Sequence, residues 1–319
     1  MKSISQLTDF YYKTLYPDLE LLEQERKKIK KRLISISLIY LVFVLLIAFV
    51  IYQHLSIEFL FFFAVFALVG LKFIYSYLVN DYNVDFKNKI IAPLIYEIDK
   101  NLHYRPASHI TTADFNRSKL FGVRPDRVSG NDYVKGSIDG INIEFSDFHA
   151  QKRHKDSKGK EYWESIFRGL FLISEFPKNF HAETIVLPDS AQKIFGDLIG
   201  GWLQSNNYSQ NELVKMDNPE FEKEFVVYGT DQIEARYILT PSLMQKLLNY
   251  KKKTKHPIYV SFIGGKIYMA IEYNDDMFEA SLFHSLLEYK IAIEYIKTLH
   301  LAIGIVEELK LNQKLWSKI

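Results

Sequence analysis

Residues Leu33–Tyr52, LISISLIYLVFVLLIAFVIY, form a run of 20 residues without a single charge. That is about the length needed to cross ~30 Å of hydrocarbon at 1.5 Å per residue. A second run, Phe59–Val79, carries only Lys72, placed late enough for its long side chain to snorkel toward the headgroups. Tyr75 and Tyr77 stand at the same end, where an interfacial aromatic belt belongs. Only Gln53–Glu58 separates the runs. So short a link imposes an antiparallel hairpin with both ends on one face of the membrane. Six of the seven residues from Arg26 to Arg32 are basic (Arg26, Lys27, Lys28, Lys30, Lys31, Arg32). Lys87 and Lys89 follow the second run, whereas the link has neither Lys nor Arg. The positive-inside rule then predicts cytosolic termini and an outward link. A cleaved signal peptide is a poor fit: the first run starts deep in the chain and a second span follows at once. A pair of buried core helices is a poorer one, because a soluble core has no use for the basic flank.

The remainder reads as an ordinary globular protein, so the mean hydropathy of −0.08 averages two unlike regions. A length of 319 residues leaves room for a real core outside the spans. The formal net charge of +2 gives no footprint for nucleic acid. With no cysteine, disulfides, thiolate metal sites and cysteine nucleophiles are all excluded.

Pro17 suits the first position of a helix with Asp18 and Glu20 in its first turn. Leu19, Leu22, Arg26, Ile29 and Leu33 recur at spacings of three and four, so this helix should run unbroken into the first span. Asn83–Leu102 reads as a further helix, kinked or restarted at Pro93. From about Tyr104 short alternating runs take over. Tyr133–Ile138 and Ile141–Ala150, joined by Asp139-Gly140, predict a hairpin. Lys152–Glu161 reads as a solvated loop. Strands are expected at Ile166–Phe176, Glu183–Leu187, Glu224–Tyr228 and Glu234–Leu239, and a helix at Ser190–Gln204. Thr240-Pro241 should cap a helix to about Tyr250. Ile258–Ile263 and Lys266–Tyr273, around Gly264-Gly265, predict a second hairpin. A last helix over Leu282–Leu311 carries Tyr289, Ala292, Ile296, Leu299, Ile303 and Val306 at heptad spacing. That seam suits packing on the domain itself or pairing with a second copy. The expected fold is therefore α+β: a two-helix transmembrane hairpin, then a mainly antiparallel β domain with inserted and C-terminal helices. The expected divisions are a cytosolic juxtamembrane helix at 1–32, the hairpin at 33–79, a connecting helix at 80–103 and a cytosolic domain at 104–319.

Several blocks resemble the bacterial domain-of-unknown-function family 3137: FYYKTLYPDLELLEQERKK, the double span, GSIDGINIEFSDFHA, FRGLFLISEFPKNF and, most specifically, NPEFEKEFVVYGTDQIEARYILTPSLM. The resemblance extends over most of the chain and implies a membrane-anchored bacterial protein with no assigned activity. It brings no site residues with it. The order of short strands also looks similar to a pleckstrin-homology-like barrel.

Candidate chemistry is sparse. Asp147 and His149 fall on one face near a strand end, with His154 nearby in sequence. They form a low-grade polar site without HExxH-type spacing, so no metal and no catalytic residue is assigned. Glu234 and Arg236 suit a structural ion pair on a strand. Ile263-Gly264-Gly265-Lys266 lacks the phosphate-loop pattern and belongs to a hairpin turn. Lys251, Lys252, Lys253 and Lys255 complement a helix C-terminus. Arg26, Lys27, Lys28, Lys30, Lys31 and Arg32 are expected at the membrane surface, each worth about 1 kcal/mol beside anionic lipid. The leading functional reading is a cofactor-free, non-enzymatic binding or scaffold protein. Its partners would be the lipid bilayer and another membrane protein, with possible self-association through the C-terminal helix. The alternative is a membrane-tethered, hydrolase-like enzyme acting on a lipid or envelope precursor.

Overall fold

The computed structural model describes residues 2–54, 57–138, 140–176, 178, 180–189, 212–273 and 278–310. The expected helix at Ser190–Gln204 and Asp139 of the first hairpin turn lie outside these residues. The chain forms two compact units, Lys2–Glu97 with Phe278–Lys297, and Ile98–Met277 with Thr298–Ile319.

In the first unit, α1 (Ile4–Lys13) opens on a capping box between Ser3 and Gln6. Helix α2 (Tyr16–His54) runs from the basic flank through the first apolar run without a break, as its periodicity predicts. Helix α3 (Ile57–Phe86) returns beside it. The Tyr40 hydroxyl donates to the Ala67 carbonyl at 3.1 Å, and Gly70 makes room for the Tyr40 ring, since a Cβ there would lie 2.2 Å from its hydroxyl. Both helices are long and apolar enough to cross a membrane, and their most apolar stretches are 0% and 6% buried. Bare apolar surface on this scale argues against soluble core helices and suggests membrane anchoring.

The cover begins beyond the apolar runs. Leu19, Leu22 and Leu33 on α2 are buried, as are Val79, Tyr82 and Phe86 on α3. The separate helix expected at Asn83–Leu102 is corrected: α3 passes through one π turn, Lys87–Ile91, into α4 (Ala92–Ile98). The Ala92 amide reaches back to the Lys87 carbonyl. Pro93 has no amide to give, and its ring would strike the carbonyl four residues earlier, so the widened turn accommodates it.

In the second unit the described residues form a nine-stranded antiparallel sheet of order β1-β2-β3-β4-β9-β8-β5-β7-β6. Its strands are β1 (His103–Arg105), β2 (Arg127–Ile138), β3 (Ile141–Lys155), β4 (Glu161–Glu175), β5 (Thr184–Pro188), β6 (Glu212–Val214), β7 (Phe225–Gly229), β8 (Ile258–Ile263) and β9 (Lys266–Glu272). Among the described residues β1 and β6 are the two end strands, an open order that differs from the likeness to a closed barrel. Both expected hairpins form: Ile138 pairs with Ile141, and Ile263 pairs with Lys266 across Gly264 and Gly265 at φ +58° and +74°.

The loop expected at Lys152–Glu161 is instead a ribbon extending β3 and β4, with Gln151 to Lys155 paired to Ser165 to Glu161. Its charges stay solvated on both faces, so no hydrophobic alternation marks it as strand. Central strands such as β8 are buried on both faces, hence its continuous run IYVSF. Helix α5 (Thr112–Arg117) brings Phe115 onto one face, 4.7 Å from Phe148 and 5.2 Å from Phe121 between ring centroids. Phe167, Phe171, Tyr259 and Tyr268 complete this aromatic core.

Along the chain α6 (Pro219–Glu224) lies between β6 and β7, and α7 (Gln232–Ile238) and α8 (Pro241–Thr254) lie between β7 and β8. Helix α8 starts at the Thr240 cap as expected. Helix α7 replaces the strand expected at Glu234–Leu239, because the Asp231 carboxylate caps the amides of Ile233 and Glu234. The last helix, α9, is Tyr289–Lys310, so the expected start at Leu282 is seven residues early. Of its seam residues, Ala292, Ile296, Leu299 and Ile303 are fully buried within the chain, as packing on the protein itself requires, and Tyr289 is exposed.

Candidate functional site

Two short rows of paired residues cross β2, β3 and β4. Ser129, His149 and Arg168 lie side by side on β2, β3 and β4, and Asn131, Asp147 and Leu170 form the next row. Asp147 and His149 do share a face, but in the middle of β3 rather than near its end, because β3 runs on into the charged ribbon. They point away from Phe148 and the aromatic core. A cleft of about 330 Å³ opens over Ser129, Asn131, Asp147, His149 and Arg168, floored by the backbone of Gly130 and Gly169.

Two carboxylates are buried here, Asp147 at 5% exposure and Asp132 at 0%. Asp132 occupies a bulge where the β2–β3 register shifts between Asn131 and Val134. Its φ of +58° is a conformation that Asp tolerates better than most residues. Its amide donates to the Pro106 carbonyl at 3.0 Å, and its carboxylate accepts from the Tyr104 hydroxyl. Asp147 accepts from the Tyr273 hydroxyl at 2.9 Å. Burial, then the nearby Asp147, holds the Tyr273 hydroxyl well above the usual phenol range, so it stays a donor. Such an arrangement keeps carboxylate oxygens desolvated but hydrogen-bonded, which suits recognition of a polar ligand or proton transfer. The described residues hold no group of three or more His, Cys, Asp or Glu side chains that could bind a metal ion.

Sequence reasoning found Asp147 and His149 but not Asp132 or Arg168. The run Gly130-Asn131-Asp132, a turn-like triplet just before a strand pattern, was the available sign of the bulge. His154 lies apart, on the ribbon, 2.9 Å from Glu164.

Glu234 and Arg236 sit on α7 rather than on a strand. Glu234 accepts from the His181 and Ala182 amides, and Arg236 donates to the Gln232 carbonyl, so the ion pair expected between them is replaced by backbone contacts. Lys178, 5% exposed, donates to the carbonyls of Tyr237 and Ile238 at the end of α7. Burial pushes its ammonium down to about 8. Between pH ~8 and the unfolded value of ~10.4 the unfolded chain binds more protons, so stability should rise with pH across that window. Lys178→Met should flatten the rise. Urea midpoints at pH 7.5 and 9.5 for both proteins check it. Lys251 pairs with Glu224 and lies 5.1 Å from the Phe225 ring centroid, a structural post at the end of α8.

Of the basic cluster, Arg26 is corrected. It is 7% exposed, gripped by both oxygens of Glu23 at 2.7 and 2.8 Å, and donates to the Leu282 carbonyl at 2.8 Å. It lies on the buried stripe of α2, whereas Lys27, Lys28, Lys31 and Arg32 are exposed and Lys30 is half-buried.

Helices and sheet define the class: an α+β protein with two long apolar N-terminal helices followed by an antiparallel sheet. Within it, residues 165–311 match the family described as "Protein of unknown function (DUF3137)". The resemblance read from FRGLFLISEFPKNF and the NPEFEKEF block therefore stands, while the blocks before residue 165 lie outside the match. A crystal structure of the mycobacterial trehalose monomycolate transport factor A is similar at TM-score 0.36 and 11% identity, over 63% of this chain and 88% of that one. At that distance the likeness bears on neither substrate nor partner. No curated protein matches the chain.

Proposed function

We propose that this protein is a membrane-anchored binding or scaffold protein. Its α+β domain would lie on the cytosolic side of a bacterial inner membrane and engage another membrane protein. The carrying observation is the bare apolar surface of α2 and α3, each long and apolar enough to cross a membrane, within a unit to which the chain returns at Phe278. The returning segment is then held by Arg26 at Leu282 and by the Tyr11 hydroxyl on the Leu286 carbonyl. In this reading residues 1–32 form the juxtamembrane helix, 33–79 the hairpin, 80–103 the connection and 104–319 the cytosolic domain, with Lys27, Lys28, Lys30, Lys31 and Arg32 at anionic headgroups. Crosslinked pull-down of the tagged full-length protein from native membranes tests it. One reproducible stoichiometric membrane-protein partner is expected, and recovery of the protein only by itself contradicts the reading.

The buried Asp147 of the cleft favours a second reading, a membrane-tethered hydrolase-like enzyme acting on a lipid or envelope precursor there. Alanine at both Asp147 and His149 should then abolish turnover of such a precursor by the full-length protein. Unchanged phenotypes in the double variant count against it.

A further inference from the structure

We propose that Phe283 is a third point of contact with the bilayer, an aromatic side chain seated in the headgroup layer beside the hairpin. The inference rests on the membrane reading of α2 and α3.

Phe283 is a large apolar side chain at 60% exposure, between buried neighbours Leu282 at 1% and Leu286 at 0%. Its exposure is therefore imposed by a fixed backbone. The Leu282 carbonyl is held by Arg26, which is itself clamped by Glu23, and the His284 amide donates to the Ser281 hydroxyl at 3.0 Å.

Its depth follows from its neighbour. The Lys30 ammonium lies 5.8 Å from the Phe283 ring centroid, within cation–π range. Lys30 precedes Leu33, where the apolar run begins, by ~4.5 Å of helix rise. Side chains on a helix lean toward its N-terminus, which lifts the ring somewhat further from the hydrocarbon. The headgroup region is about 5–7 Å thick on each side, so the ring falls within it.

Helix α3 places two more aromatics at this level. Starting from the Tyr40–Ala67 contact, seven residues back along α2 reach Leu33, and seven forward along α3 reach Ile74. Tyr75 and Tyr77 stand next to it, 39% and 76% exposed. Phe283 thus joins an aromatic belt, with a cation beside it, at the boundary where such residues prefer to lie. Its occupant is lipid, because the helix that fixes its position is the membrane helix itself.

The chain has no cysteine, so single reporters can be placed in the full-length protein. Phe283→Cys, Phe43→Cys in the first span and Lys158→Cys at the ribbon tip would each carry an NBD fluorophore. The labelled proteins would be reconstituted in phosphatidylethanolamine–phosphatidylglycerol vesicles containing lipid spin-labelled at acyl carbon 5. Quenching at Phe283 at least half of that at Phe43, with Lys158 unquenched, is the expected result. Quenching at Phe283 no greater than at Lys158 overturns the inference while Phe43 keeps the membrane reading intact. Blue-shifted emission without quenching means that protein covers the ring, and overturns it too. An unquenched Phe43 overturns both readings.

Discussion

Arg26→Ala should cost about 3 kcal/mol of stability, because it removes the two-point grip on the buried Glu23 carboxylate, leaving it only Ser285 and the more distant Lys27, and takes the donor from the Leu282 carbonyl. The pair is nearly dry, with side-chain exposures of 8% and 7%. Removing both charges is a different experiment. Glu23→Leu with Arg26→Met replaces the ions by apolar groups of similar bulk and should recover most of the loss. Unfolding of the detergent-solubilised full-length protein reports both variants. A single-variant loss near that of an exposed pair, below ~1 kcal/mol, would deny the buried clamp. Acid adds a sign. Burial pushes the Glu23 carboxyl up, but hydrogen bonds from Arg26 and Ser285 outweigh it and hold it below the usual carboxylate range. The contribution is therefore complete above the ordinary carboxylate value and fades only as pH falls through the lowered one.

Gly169→Ala is the second large effect, about 3 kcal/mol or more from two additive causes. Gly169 has φ +147°, where any side chain is strained, and a Cβ there would lie 2.0 Å from the Ile271 carbonyl oxygen and 2.9 Å from the Tyr273 amide. Both obstacles are backbone of the neighbouring strand, so no rotamer change relieves them. The β4–β9 pairing would have to part, taking Tyr273 away from Asp147. Gly140→Ala is the control: φ there is +84°, yet nothing lies within 4 Å, so only strain of roughly 1 kcal/mol remains. Equal losses at the two positions, read from urea unfolding, would mean that the close approach at Gly169 is not real.

The elements legible in the sequence carried local signals. Asp139-Gly140 and Gly264-Gly265 each sit between apolar runs, Thr240-Pro241 heads α8, and uncharged length marks the spans. Misreadings arose where tertiary context decided. EARYIL alternates like a strand, but the Asp231 cap and the hold of Glu234 on the His181 and Ala182 amides make it helical. The charged ribbon had no buried face and so no pattern to see. Arg26 belongs by composition to the basic cluster and by periodicity to the buried stripe, and burial decides for the stripe. Half of the cleft was visible, Asp147 and His149, since they alternate on one strand. Arg168 joins them only through the pairing of β3 with β4, and Asp132 is buried nearby only by the β2 bulge, neither of which a local window contains.

The central claim is a two-span anchor that places the link and the sheet on opposite sides of a bilayer. In this cysteine-free chain, His54→Cys at the end of α2 and Lys158→Cys at the ribbon tip test it by labelling with a membrane-impermeant maleimide in intact bacterial spheroplasts. The account predicts that His54→Cys labels at once and that Lys158→Cys labels only after the membrane is permeabilised. Labelling of both in intact spheroplasts, or of neither, would contradict the spanning hairpin, and the reverse pattern would contradict its orientation.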